Sequence, residues 1–158
     1  GGGGKALALA ARGLSPVTAH DADPRRMSDL PDRAARAGAR VRIVQPGKLS
    51  GGFDLVVADV PCSGSGTWRR TPDAKWRLTP AHLAGLEKTQ AQILDTAAAH
   101  VAPGGALAYM TCSLLRAENR AQTAAFLRRA PEFALLTERI FTPLDASDGF
   151  YLCLMQRR

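Results

Sequence analysis

The stretch Phe53-Asp54-Leu55-Val56-Val57-Ala58-Asp59-Val60-Pro61-Cys62-Ser63 decides how this chain is read. Its apolar run is short and passes into loop chemistry, which is the mark of a buried strand. A second run of the same design, Gly105-Ala106-Leu107-Ala108-Tyr109-Met110-Thr111-Cys112-Ser113, also ends on a Cys-Ser pair. Between the two lies a long helical pattern in which Leu83, Leu86, Gln90, Ile93, Leu94 and Ala97 recur on one face. A crossover of that length predicts parallel strands. Parallel strands end on the same rim, where open α/β sheets bind their ligands. Both Cys-Ser pairs are therefore expected side by side, as a two-thiol site.

The rest of the chain fits around that unit. Gly1-Gly2-Gly3-Gly4-Lys5 reads either as a linker or as the end of a glycine-rich loop that opens a helix over Ala6 to Ala11, where backbone N–H groups would face a polar ligand. Val17 to His20 is a predicted strand ending at Asp21, an acid placed to accept hydrogen bonds from a ribose. Asp21 and Asp23 also both suit a helix cap before Pro24; the cap is assigned to Asp23 and the ribose role to Asp21. The helix that follows, to Arg36, is expected to kink or restart at Pro31 and to stop at Gly38. Val41 to Val44 and Phe53 to Val60 are strands. Pro61 to Thr79 is a loop rich in Gly, Pro, Arg and Trp. Thr79-Pro80 caps a helix running to about His100. Pro103-Gly104-Gly105 is a turn, Gly105 to Thr111 a strand, and Ala117 to Arg129 a helix with Ala121, Ala125 and Phe126 inward. Phe133 to Thr137 and Gly149 to Gln156 are strands with no helix between them, so the last is expected to be antiparallel. The fold class is α/β, a doubly wound, mostly parallel sheet with an antiparallel last strand.

Bulk properties narrow the function. The 158 residues are 46% hydrophobic and 22% charged, one domain's worth of ordinary globular material. Lys and Arg number 21 against 14 Asp and Glu, a net charge of +7. The pI of about 10.0 favours a polyanionic partner. Three cysteines, Cys62, Cys112 and Cys153, are too few and too scattered for a disulfide scaffold, and none has metal-ligand spacing, so no metal is expected. Cys153, inside an apolar run, reads as core. No run approaches the ~18 apolar residues of a membrane span, and no signal peptide is seen, so a cytoplasmic, membrane-free monomer is expected.

Asp59 to Thr67, continuing through Arg69-Arg70-Thr71-Pro72-Asp73-Ala74-Lys75-Trp76-Arg77, resembles the first signature of the Sun family of S-adenosylmethionine-dependent RNA cytosine-5 methyltransferases. Tyr109-Met110-Thr111-Cys112-Ser113-Leu114-Leu115 with Glu118-Asn119 resembles the second signature, Asp148-Gly149-Phe150-Tyr151 the usual last strand, and Gly3-Gly4-Lys5 the end of the cofactor loop. The resemblance implies a Rossmann-like methyltransferase acting on ribosomal or transfer RNA. It implies Cys112 as nucleophile, Cys62 as the thiol that assists product release, and Asp59 as the acid beside cofactor and base. DNA cytosine methyltransferases attack with the Pro-Cys cysteine, so the reverse assignment stays open. S-adenosylmethionine would be held by Gly1, Gly2, Gly3, Gly4, Lys5, Asp21 and Asp59. Arg69, Arg70, Lys75, Trp76 and Arg77, with Trp68, would form a platform for phosphates and an unstacked base, the two tryptophans alternatively serving as loop packing. The cations Arg69, Arg70 and Lys75 are expected to favour a thiolate.

Three departures from that family pattern are visible. Its first strand and the start of its cofactor loop have no counterpart here, so residues 1–158 read as an N-terminally truncated methyltransferase domain. The acid that usually contacts adenine falls by spacing at Gly47, in Gln45-Pro46-Gly47, with no carboxylate. The family's N-terminal RNA-binding extension is not in the sequence. A non-catalytic RNA-binding remnant is accordingly the alternative function.

Overall fold

The computed structural model describes residues 2–14, 16–145 and 147–158. The chain divides into two units, residues 1–50 and 51–158.

The first unit begins with α1 (Gly4–Ala11), entered through Gly3 at φ +79°. Only glycine suits that entry, because a Cβ on Gly3 would stand 2.3 Å from the Leu30 side chain. β1 (Val17–His20) and β2 (Val41–Val44) pair in parallel, Val17 opposite Val41 and His20 opposite Val44. Between them the chain makes a 3-10 turn over Pro24–Met27 and then α2 (Leu30–Arg36), with Pro31 in its first turn. The proline thus restarts the helix, since its missing N–H and fixed φ are harmless there. Asp23 caps the 3-10 turn by accepting the Arg25 N–H at 3.2 Å. Ala19, Met27 and Leu30 form the core of this unit, with Ala6, Leu7, Val41 and Ile43 against them.

The second unit is built on a four-stranded sheet made of β3 (Phe53–Asp59), β4 (Val101–Thr111), β5 (Phe133–Phe141) and β6 (Phe150–Arg157), in the order β3-β4-β6-β5. β3 and β4 are parallel, as the crossover requires, with Asp59 opposite Met110. β6 runs antiparallel to both of its neighbours. The crossover is α4 (Pro80–Ala98), capped by Thr79, whose hydroxyl accepts the His82 N–H at 3.2 Å. Such a cap contributes about 1 kcal/mol. Gln90 and Leu94 of α4 are buried. α5 (Arg120–Arg129) packs Phe126 beside Phe133. Leu94, Leu107, Tyr109, Phe126, Tyr151, Cys153 and Met155 make the core, and Cys153 is wholly buried within it.

Three details differ from the sequence reading. The glycine turn at residues 103–105 does not precede β4 but is folded into it as an irregularity in the ladder between Phe53 and Leu55. Gly105 permits this, since a Cβ there would meet the Ala102 and Phe53 carbonyl oxygens at 2.9 Å. β5 continues past Thr137 to Phe141, because an irregularity at Leu135 to Thr137 resets its register against β6. Ala121 is exposed, because α5 starts at Arg120 and turns Gln122, Thr123 and Phe126 inward instead.

Candidate active site

β3 and β4 deliver their Cys-Ser pairs to the same rim. The ladder closes with the Val60 N–H donating to the Met110 carbonyl at 3.2 Å. Two residues later Cys62 Sγ lies 3.3 Å from Cys112 Sγ. Both thiols are half-buried and unoxidised. Ser63 and Ser113 follow the same pairing, with their hydroxyl oxygens 3.3 Å apart.

The thiols are held from behind by a buried polar cluster. Glu118 is fully buried and its carboxylate accepts from the Ser63 N–H at 2.8 Å, the Gln90 amide at 3.0 Å and the hydroxyls of Ser63 and Ser113. Gln90 also donates to the Pro61 carbonyl at 2.9 Å, so α4 grips the loop just before Cys62. Asn119 accepts from the Thr111 hydroxyl at 2.6 Å and donates to the Ser113 carbonyl at 2.8 Å, bracketing Cys112. The Tyr109 hydroxyl donates to the Glu118 carbonyl at 2.6 Å. Burial, with the Glu118 charge adding to it, pushes the Tyr109 phenol well above its usual range, so it stays a donor. Gly66 is wedged between the two signatures: its N–H donates to the Cys112 carbonyl at 2.9 Å and its carbonyl accepts the Gly149 N–H at 2.8 Å.

The electrostatics differ from the expected ones. The Cys62 thiol is pushed far up, first by its hydrogen bond with Cys112 and then by burial. Nearby cations do not reverse this, because Arg70 is engaged by Asp148 at 2.7 Å and Arg69 lies 3.8 Å from the same carboxylate. The contact and the burial together favour one shared proton between the two sulfurs over a free Cys62 thiolate. A raised pKa means fewer thiolates at a given pH, and Cys112→Ala removes the largest cause of the rise. Cys62 in that variant is expected to react with iodoacetamide at pH 8 at least about 10-fold faster than in the parent protein, read by intact and peptide mass.

The remaining predicted residues fall in several places. Asp59 ends β3, exposed, on the same rim. Lys75, Trp76 and Arg77 lie on the short α3 (Ala74–Arg77). Trp76 is 79% exposed with the Lys75 ammonium 4.5 Å from its ring centre, and Arg77 pairs with Asp73 at 2.9 Å. Trp68 is half-buried, its ring N–H buried without a hydrogen-bond partner among the described residues, so it packs the loop while Trp76 points outward. In the first unit, Gly2 to Lys5 form the entry and first residues of α1, and the Gly2 carbonyl accepts from Arg33. Asp21 follows β1 and accepts the Asp23 N–H at 2.9 Å. Gly1 lies outside the described residues. Sequence reasoning passed over Gln90 as plain core and gave Glu118, Asp148 and Gly66 no task. The acid-amide pair Glu118-Asn119, soon after the second Cys-Ser pair, was the available signal.

Comparisons with known proteins give the family. The model of the family described as 16S rRNA methyltransferase RsmB/F matches residues 1–154. The chain belongs to that family. Ribosomal RNA small subunit methyltransferase B of Salmonella arizonae is 40% identical over 141 residues, 85% of this chain and 33% of the relative. The protein of the same name from Klebsiella pneumoniae is 37% identical over 158 residues, 90% of this chain and 37% of the relative. This RsmB/F chain thus spans about a third of the length of the curated relatives it matches. Among solved structures, PH0851 shares 30% identity at a TM-score of 0.82, covering 89% of this chain and 36% of its own. NSun6 from Pyrococcus horikoshii, crystallised with SFG, has a TM-score of 0.86 at 21% identity, covering 98% of this chain and 45% of its own, a likeness of fold. Among the described residues of this RsmB/F chain, no helix is long and apolar enough to cross a membrane.

Proposed function

We propose that this chain is the catalytic part of an S-adenosylmethionine-dependent methyltransferase that modifies carbon 5 of cytosine in ribosomal or transfer RNA. The observation that carries the reading is the pair of thiols, 3.3 Å apart at the ends of parallel strands. Carbon 5 of cytosine is a poor nucleophile. Addition of the Cys112 thiolate to carbon 6 makes carbon 5 enamine-like and able to take a methyl group. Asp59, on the same rim, is suited to hold the cytosine amino group or its protonated ring nitrogen. After transfer, a base, for which solvent water suffices, takes the proton from carbon 5; the electrons of that C–H bond re-form the 5,6 double bond as the bond from Cys112 to carbon 6 breaks, returning the thiolate. Cys62, 3.3 Å from Cys112, is suited to assist that release.

S-adenosylmethionine supplies an electrophilic methyl group when bound. The residues suited to it are Gly2, Gly3, Gly4 and Lys5 at the start of α1 and Asp21 at the end of β1, the half-buried carboxylate of which is already oriented by the Asp23 N–H. Glycine at Gly3, in the left-handed region, keeps the backbone bare for a close approach. For RNA, the exposed Trp76 ring with Lys75 beside it offers a stacking face and a cation, and Arg77 a second positive charge.

The test is a denaturing gel of protein mixed with substrate RNA and cofactor. Cys62→Ala is expected to accumulate a protein–RNA adduct, and Cys112→Ala to form none. An adduct through Cys62 in the Cys112→Ala variant would reverse the two roles. No adduct with any variant, together with retained RNA binding, would favour a non-catalytic RNA-binding module.

A further inference from the structure

We propose that Glu118 is a positioning residue that sets the separation of the two thiols, by serving as the common acceptor for the hydroxyls of Ser63 and Ser113, the serines that follow the two cysteines. The inference rests on the reading of Cys62 and Cys112 as the catalytic pair.

The direction of each hydrogen bond can be worked out from the fixed donors. Backbone N–H groups can only donate. Leu114 N–H donates to Ser65 Oγ at 2.8 Å, and Leu115 N–H donates to Ser113 Oγ at 3.0 Å. Ser65 Oγ is 2.9 Å from Ser113 Oγ. Ser113 in turn contacts one Glu118 carboxylate oxygen, and Ser63 contacts the same oxygen. The other oxygen takes the Ser63 N–H and the Gln90 amide, both donors with no alternative role. A carboxylate has no proton to give, so the Ser113 and Ser63 hydroxyls must both point at Glu118. The Ser65 hydroxyl is then left to donate to Ser113. One side chain therefore orders a chain of three serines drawn from both signatures.

That ordering bears directly on the thiols. Ser63 is bonded to Cys62 and Ser113 to Cys112, so anchoring both serines on one carboxylate fixes the two cysteine backbones relative to each other. Glu118 is wholly buried, and four donors converge on its two oxygens, as a buried polar group requires. Gln90 ties the same carboxylate to the crossover helix, so the anchor belongs to the rigid part of the fold. Glu118 touches neither sulfur and is offered no proton-transfer role.

Substituting Glu118→Gln keeps the shape but puts an NH2 group where two hydroxyls now donate. The serine chain must then reverse against Ser65 and Ser113 oxygens already engaged by backbone N–H groups. The experiment measures cross-linking of the two native thiols by the bifunctional alkylator dibromobimane, which becomes fluorescent only when both of its arms have reacted. Glu118→Gln, folded by circular dichroism and thermal melting, is expected to cross-link at least about 10-fold more slowly than the parent. Single-thiol alkylation by iodoacetamide should continue in the same variant. Unchanged cross-linking in a folded Glu118→Gln protein would overturn the proposal. Should that variant not fold, Ser113→Ala is measured against the same criterion, with about 3-fold slower cross-linking expected and no change counting against the idea. Cross-linking needs neither RNA nor cofactor, so a failure of the methyltransferase reading and a failure of this one are scored by different assays.

Discussion

Gly66→Ala is expected to destabilise the protein by about 3–5 kcal/mol. An ideal Cβ on Gly66 would stand 2.1 Å from the Gly149 carbonyl oxygen and 2.6 Å from its carbon. Both obstacles are backbone, so no rotamer change relieves them. Moving Gly66 away breaks two hydrogen bonds together, the one to the Cys112 carbonyl and the one from the Gly149 N–H. The second of these ties the first signature to the turn before β6, and that turn also carries Asp148, the partner of Arg70. Methyl transfer should fall with stability, because the Cys112 backbone loses its support. Gly85→Ala is the control. Gly85 sits inside α4 with nothing within 4 Å of the new methyl, so that change should stabilise by about 0.5–1 kcal/mol. Urea unfolding of the two variants checks both; equal midpoints would show that the Gly66–Gly149 contact is not rigid.

Cys112→Ala is expected to lower the rate of methyl transfer at least about 10⁴-fold, with unfolding free energy changed by less than about 1 kcal/mol. The sulfur is half-buried and outside the hydrophobic core, and the Glu118 cluster is built from the neighbouring serines and Gln90. On the proposed mechanism, what is lost is the covalent step. RNA affinity should stay within about threefold of the parent, since Lys75, Trp76 and Arg77 are untouched. Single-turnover kinetics with labelled cofactor, beside a filter-binding titration, separates the two quantities. A Cys112→Ala protein with a rate within tenfold of the parent would place the attack elsewhere.

Much of this architecture was legible in the chain itself. Two short apolar runs, each ending in Cys-Ser and separated by a helical pattern, specified parallel strands, a crossover helix and a shared rim. Residue period and turn chemistry are local properties, and they survive in the sequence. Pro31 restarting a helix, Thr79 capping α4 and Cys153 as core were read for the same reason. Two of the three differences in the fold came from pairing between strands, and the third, the exposed Ala121, from where α5 begins. The glycine turn folded into β4, and the extension of β5 past Thr137, both depend on how one strand registers against another.

The sequence by itself determined that Cys62 and Cys112 would share one edge of a parallel sheet, because side-chain spacing dictates strand, helix and crossover. Only the tertiary structure decided that their sulfurs touch, that Glu118 collects donors from both loops, and that Arg70 is bound to Asp148. Those contacts join residues separated by 50 and 55 positions for the thiols and for Ser63 with Glu118. No local pattern reports on such pairs, because their geometry is set by where the loops come to rest once the sheet and α4 have packed.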